Sequence, residues 1–165
     1  IFISIVKMIH FKNEISNYLN NKGPDNLKVD IIRNSDDLLK TSIEGALKVA
    51  EIEEKLKKID LKETDGLIEK LKSEGISENN KKLFDSLTGK KNVCDRLLNL
   101  KSEFVKSIEE SLLEMEKTSL EIIHIFDNTT EFDRSIPRLT VELKKRMDLA
   151  KNVKAKIDDF LSREI

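Results

Sequence analysis

Glu121 and His124 stand three residues apart, and on a helix that spacing turns both side chains to one face. Such a Glu-x-x-His pair is half of the ligand set of a carboxylate-bridged di-metal bundle, whose full site needs a second pair and two further glutamates. The second pair is missing, because the only other histidine, His10, has Lys7 where its glutamate would stand. His124 therefore reads as a residue at the edge of a helix, and no metal or cofactor is expected. Cys94, the single cysteine, has Lys91, Asp95 and Arg96 near it, but its helical angle puts it among apolar residues. A thiol becomes a nucleophile beside a base or in an exposed positive field, so Cys94 is expected to be buried and inert. One cysteine also excludes an internal disulfide. Thr88-Gly89-Lys90-Lys91 resembles the end of a phosphate-binding loop, yet the first glycine of such a loop would fall at Phe84. Nothing is left there to cradle a phosphate. With 2 His and 5 Gly in the chain, no Ser-His-Asp arrangement with an oxyanion loop can be assembled. Glutamates alternating with lysines are usual on solvated helix faces. No catalytic residue is assigned, and an enzyme is not expected.

The strongest charge asymmetry lies near the end of the chain, where Arg138, Lys144, Lys145, Arg146, Lys151, Lys154 and Lys156 outnumber Glu142 and Asp148. A basic helix face of this kind can meet phosphate, an acidic membrane or an acidic protein. Alternatively, acids elsewhere in the fold, such as Glu109, Glu110, Glu114 and Glu116, neutralise it. The second reading is preferred, because no aromatic residue or glycine is interleaved for stacking on bases and lysine prevails over arginine. Nucleic acid is not expected as a partner. Lys144, Lys145, Lys151 and Lys154 are the candidate partner-binding residues. Asn128-Thr129-Thr130 matches a glycosylation acceptor triplet, which matters only in a secreted eukaryotic chain.

Whole-chain composition points the same way. The 165 residues carry 30 Lys and Arg against 31 Asp and Glu, a net charge of -1, without the basic excess of a nucleic-acid binder or the uniform charge of a disordered tail. A chain of this length can bury about 70 % of its unfolded surface in one core. Five Gly, two Pro and no Trp are too few turn-formers for a β-sandwich or barrel. Lysines outnumber arginines 24 to 6, with 19 Ile and 12 Asn, the bias expected of an AT-rich genome. The first residue is Ile1 rather than Met, so the chain reads as a processed product or an excised fragment. Its opening apolar run, Ile1 to Phe11, is interrupted by Lys7 and is shorter than the ~20 residues that span a bilayer. An ordinary buried helix is expected there, with no transmembrane segment in the chain.

Helical spacing of apolar residues recurs in nearly every segment, and period-two alternation is sustained nowhere. The pattern predicts a first helix over 4–20, ended by Asn21-Lys22-Gly23-Pro24, and a short helix over 25–33. Asn34 and Ser35 offer capping oxygens, and Asp36 and Asp37 suit the positive start of a second long helix over 36–59. That helix carries Leu38, Leu39, Ile43, Ala46, Leu47, Ala50 and Leu56 among its apolar residues. Gly45 lies inside it at a cost of about 1 kcal/mol relative to Ala, a placement that makes sense where a neighbour packs closely. A break near Asp60, a two-turn helix over 65–73 stopped by Gly75, and a new start at Ser77 follow. From Glu78 to Phe126 the apolar residues hold helical phase, with an interruption expected at Gly89. The stretch after that break is already about 52 Å long as a helix, so the shape should be elongated. Asp127 to Thr130 reads as a polar turn, and Pro137 fits the first turn of a last helix that starts near Asp133. Leu139, Leu143, Met147, Ala150, Val153, Ile157, Phe160 and Leu161 form its apolar stripe. Arg146 falls inside that arc and must reach an edge or meet an acid.

These readings converge on one all-α domain over 1–165, an elongated antiparallel helical bundle of three to four long helices and one or two short ones, with coiled-coil-like packing. The apolar circumference is wider than a two-stranded seam requires. The chain is therefore expected to be a non-enzymatic protein-interaction module that binds a partner protein or self-associates. The alternative is a surface-exposed antigen or adhesin of an AT-rich microbe that binds a host protein.

Overall fold

Ile31, Ser35, Leu38, Ser42, Gly45, Val49, Ile52 and Leu56 follow one another at alternating steps of four and three, as do Cys94, Leu97, Lys101, Phe104, Ile108, Ser111, Met115, Thr118, Ile122 and Ile125. This seven-residue repeat keeps one seam of a helix turned to its neighbours. In the computed structural model, which describes residues 1–21, 26–125 and 129–163 (side chains of 27, 129, 130, 132 and 133 excepted), every one of these residues is buried or half-buried. Five helices are described: α1 (Phe2–Asn20), α2 (Asn26–Lys57), α3 (Leu61–Glu74), α4 (Glu78–Ile125) and α5 (Thr129–Arg163). Among the described residues there is no strand, and no helix is long and apolar enough to cross a membrane. The all-α bundle is thus as expected.

Three boundaries differ from the sequence reading. The short helix expected over 25–33 and the helix expected from Asp36 are one element, α2. Asn34 and Ser35 do not cap anything: both are buried, and the Ser35 hydroxyl donates to the Ile31 carbonyl at 2.9 Å. A serine that satisfies itself on the preceding turn can sit in a seam, so packing overrides its preference for a cap. The interruption expected at Gly89 is also absent, and α4 runs unbroken through it. Gly89 is exposed, and the ~1 kcal/mol that a mid-helix glycine costs is tolerated because the apolar phase continues on both sides, through Phe84 and Leu87 before it and Val93 and Cys94 after it. Finally, α5 begins at Thr129, so Pro137 lies in its interior rather than its first turn, removing one helical amide donor. Within the expected turns, Lys22 to Asp25, Asp127 and Asn128 lie outside the described residues, and so does the asparagine of the glycosylation triplet.

Between α2 and α4 the chain reverses as the sequence indicates. Asp60 caps α3, its Oδ1 accepting from the Glu63 amide at 2.9 Å. Gly75 ends α3 at φ +86°, a left-handed backbone that glycine adopts without strain. The start of α4 is closed by Asn80 rather than by the expected Ser77 hydroxyl: Asn80 Oδ1 accepts from the Ser77 amide at 2.8 Å, and its Nδ2 donates to the Gly75 carbonyl.

At 48 residues α4 is the spine, about 72 Å long. Ion pairs fix the directions of its neighbours. Glu121, Lys117, Glu110 and Glu103 of α4 meet Arg138, Glu142, Arg146 and Lys156 of α5 in that order, so these two helices are antiparallel. Asp37, Glu44 and Lys48 of α2 meet Lys151, Lys154 and Asp158 of α5, so that pair is parallel. Helix α1 turns back along α2, with Lys12 paired to Asp36 at 3.0 Å, and also packs on α4; α1 and α5 share no contact among the described residues and flank the α2–α4 pair. The first turns of α4 run on past this four-helix section, where α3 packs against them through Ile68 and Leu71. At the centre, α2 and α4 meet through Gly45 and Phe104. A Cβ on Gly45 would lie 1.6 Å from Phe104 Cζ, so only glycine lets the buried ring fill the space between the two backbones.

Candidate interaction surface

The residues that the sequence singled out for chemistry are scattered and engaged in structural contacts. Glu121 forms an ion pair with Arg138, and His124 is exposed on the next turn. Among the described residues no three His, Cys, Asp or Glu side chains gather where they could hold a metal. Cys94 is fully buried, and burial pushes its thiol pKa up, away from the reactive thiolate. Thr88, Gly89, Lys90 and Lys91 are consecutive helical residues of α4, a backbone whose amides point along the helix and not at a ligand.

The basic excess of α5 divides into two parts. Lys151 reaches Asp37 at 3.4 Å, and Lys154 reaches Glu44 at 3.3 Å and Asp158 at 3.2 Å. Hydrogen bonds to Asp158 and Glu44 raise the Lys154 pKa. Lys144 and Lys145, in contrast, stand exposed beside Val141 and Leu149 and make no ion pair among the described residues. The neutralising acids come from both neighbours, Glu103, Glu110 and Glu121 of α4 and Asp37 and Glu44 of α2, and of the four expected on α4 only Glu110 meets a base of α5 among the described residues. It pairs with Arg146 at 2.5 Å, and the guanidinium also donates to the Ser107 carbonyl and hydroxyl at 3.0 and 2.8 Å and to the Ser111 hydroxyl at 3.3 Å. With 12 % of its side chain exposed, Arg146 fastens α5 to α4 and is not free to bind a partner. Glu142 serves the same joint: hydrogen bonding from Lys117, with Arg138 nearby, holds its pKa below the usual carboxylate range.

An apolar opening lies at the other side of the bundle, where α1 begins. Because α1 has 19 residues against 32 in α2, its first turn stops beside the middle of α2. An open groove of about 460 Å³ runs there between Ile1, Phe2 and Ile5 at the start of α1 and the Ile43 to Glu53 stretch of α2, and its walls are almost wholly apolar. Along it Phe2 is 81 % exposed and Leu47 68 %, with Ile43 also in solvent, and Ile3 and Val6 of the same first turns are exposed too, so the start of α1 is not the buried helix that its apolar run suggests: α2 and α4 cover only one side of it. The sequence reading counted Ile43 and Leu47 among the apolar residues of their helix without separating them from its core. The signal that distinguishes them is present: they fall off the 31-35-38-42-45-49-52-56 seam. Small Ser35, Ser42 and Gly45 on that seam masked it, since an apolar count passes over them. Compared with protein-family models, curated proteins and solved structures, the chain matches none.

Proposed function

We propose that this chain is a non-enzymatic protein-interaction module whose binding face is the start of α1 together with the adjoining surface of α2. The observation that carries the reading is the apolar groove bordered by Phe2, Ile5, Ile43 and Leu47. Four of its lining residues, Phe2, Leu47, Ile1 and Ile43, keep 81, 68, 40 and 38 % of their surface in water, and a contiguous apolar patch of this kind is often functional. Isolated surface leucines need no explanation, but a contiguous groove with an apolar floor costs solubility unless something covers it. A second support is the engagement of ionisable side chains in joints between helices, as at Arg146, Lys154 and Glu142.

An apolar fluorescent probe such as bis-ANS tests the reading. At high dilution the native chain should bind it with enhanced emission, and Leu47→Lys should abolish the signal while leaving the helical circular-dichroism spectrum intact. A native chain that binds no probe, or a Leu47→Lys variant that binds it undiminished, would overturn the assignment of this face.

A further inference from the structure

Along α2 the groove continues as a stripe that stays in solvent: Lys40, Ile43, Leu47, Ala50 and Glu54 follow at steps of three and four, and all are exposed. Lys40 and Glu54 stand seven residues on either side of Leu47, two turns and about 10 Å away in opposite directions. Neither has an ion-pair partner among the described residues, and at about 21 Å apart along one helix they cannot pair with each other.

We infer that this face is covered by a second copy of the chain, α2 packing antiparallel on α2 across a two-fold axis at Leu47, with Lys40 of each copy opposite Glu54 of the other. The inference rests on the interaction-module reading and names its partner. A two-fold interface joins the same patch to itself, so the patch must be complementary to its own reverse. The stripe meets that condition: base, Ile, Leu, Ala, acid, read backwards, sets acid against base at both ends and apolar residues between. Ala50 keeps the backbones free to approach, and the exposed side chains of α1 widen the contact. A parallel arrangement would instead set Lys40 beside Lys40 and Glu54 beside Glu54, placing like charges together.

Sedimentation equilibrium of the full chain at low salt, with charge variants, tests this. Lys40→Glu and Glu54→Lys should each weaken the dimer about tenfold, since every substitution acts twice across the axis. The double variant exchanges acid and base and should return to within about threefold of the native dissociation constant. Because the two positions cannot meet within one chain, that rescue reports the second copy. Leu47→Cys should form an intermolecular disulfide in mild oxidant, with buried Cys94 as the internal control. A dimer indifferent to both single substitutions, a double variant weaker than either single, or a Leu47→Cys that never cross-links would overturn the inference. A chain that is monomeric throughout but binds bis-ANS through Leu47 also overturns it while leaving the interaction-module reading standing. A monomer that binds no probe overturns both.

Discussion

Gly45→Ala should destabilise the protein even though alanine is the better helix former. In open helix the exchange gains about 1 kcal/mol. In α2 the new Cβ would stand 1.6 Å from Phe104 Cζ and 2.2 and 2.4 Å from the two flanking ring atoms. To reach ordinary contact at 3.4 Å the ring must withdraw about 1.8 Å, and Phe104 is 1 % exposed within the main core. Overpacking of this kind costs about 1–3 kcal/mol and occasionally more; with three ring atoms in collision the upper end applies, leaving a net loss of about 2 kcal/mol after the propensity gain. Gly89→Ala is the matched control, because nothing lies within 4 Å of a Cβ built there, and it should stabilise by about 0.5–1 kcal/mol. Urea unfolding followed at 222 nm gives both values, and trimming the ring in Gly45→Ala/Phe104→Leu should recover part of the loss relative to Phe104→Leu alone. A Gly45→Ala protein as stable as the native chain would refute the close approach of α2 and α4.

Replacing Arg146 by Ala should cost about 1–3 kcal/mol in the same assay, since the guanidinium serves Glu110, Ser107 and Ser111 together; Lys in its place should recover only part, lacking the planar fork. Acid should weaken the fold in a stated window. Glu142, Glu51 and Glu53 have folded pKa values lowered, first of all by hydrogen bonds from Lys117, Lys55 and Lys101. A lowered carboxylate contributes stability above its unfolded pKa, and that contribution is lost as pH falls through the folded value. Urea midpoints should therefore hold steady from neutrality to about pH 4.3 and fall below it, less steeply in Glu142→Gln. Native Cys94 should react with a thiol reagent only at the rate of unfolding, and fast labelling of the folded chain would contradict its burial. Hydrogen exchange should be quickest in α3 and the first turns of α4, where Ile68 and Leu71 form a small cluster apart from the main core, and slowest around Phe104 to Ile122.

Much of the architecture was legible because the apolar stripe is strong where it is strictly apolar. In α5, Leu139, Leu143, Met147, Ala150 and Ile157 are buried as the spacing predicts. The need for a close neighbour at Gly45 and for a partner at Arg146 could also be read, since each states a deficit that only packing can meet. What escaped was polar material inside seams. Ser35, Ser111 and Thr118 each donate to the carbonyl four residues back, so they are buried without the penalty their type suggests. That local satisfaction erased the break expected at Asn34, and it hid the seam that separates buried Val49 from exposed Leu47. The break expected at Gly89 failed for a related reason: one unfavourable residue weighs less than continuous phase on both sides. Of the four lysines proposed for binding, the sequence could not divide Lys151 and Lys154, which meet acids across helices, from Lys144 and Lys145, because that division depends on the parallel seating of α5 on α2.

The face formed by α1 and α2 can be watched directly in solution. Amide and methyl resonances of the isotope-labelled chain, recorded from micromolar to millimolar concentration, should shift in one contiguous set: residues 2–6 and 40–54, with Lys144, Lys145 and the α3–α4 turn unmoved. Shifts confined to that set are the expected result. Resonances of Phe2, Ile43 and Leu47 that stay fixed across the whole range, or that move no more than those of α5, would contradict the account.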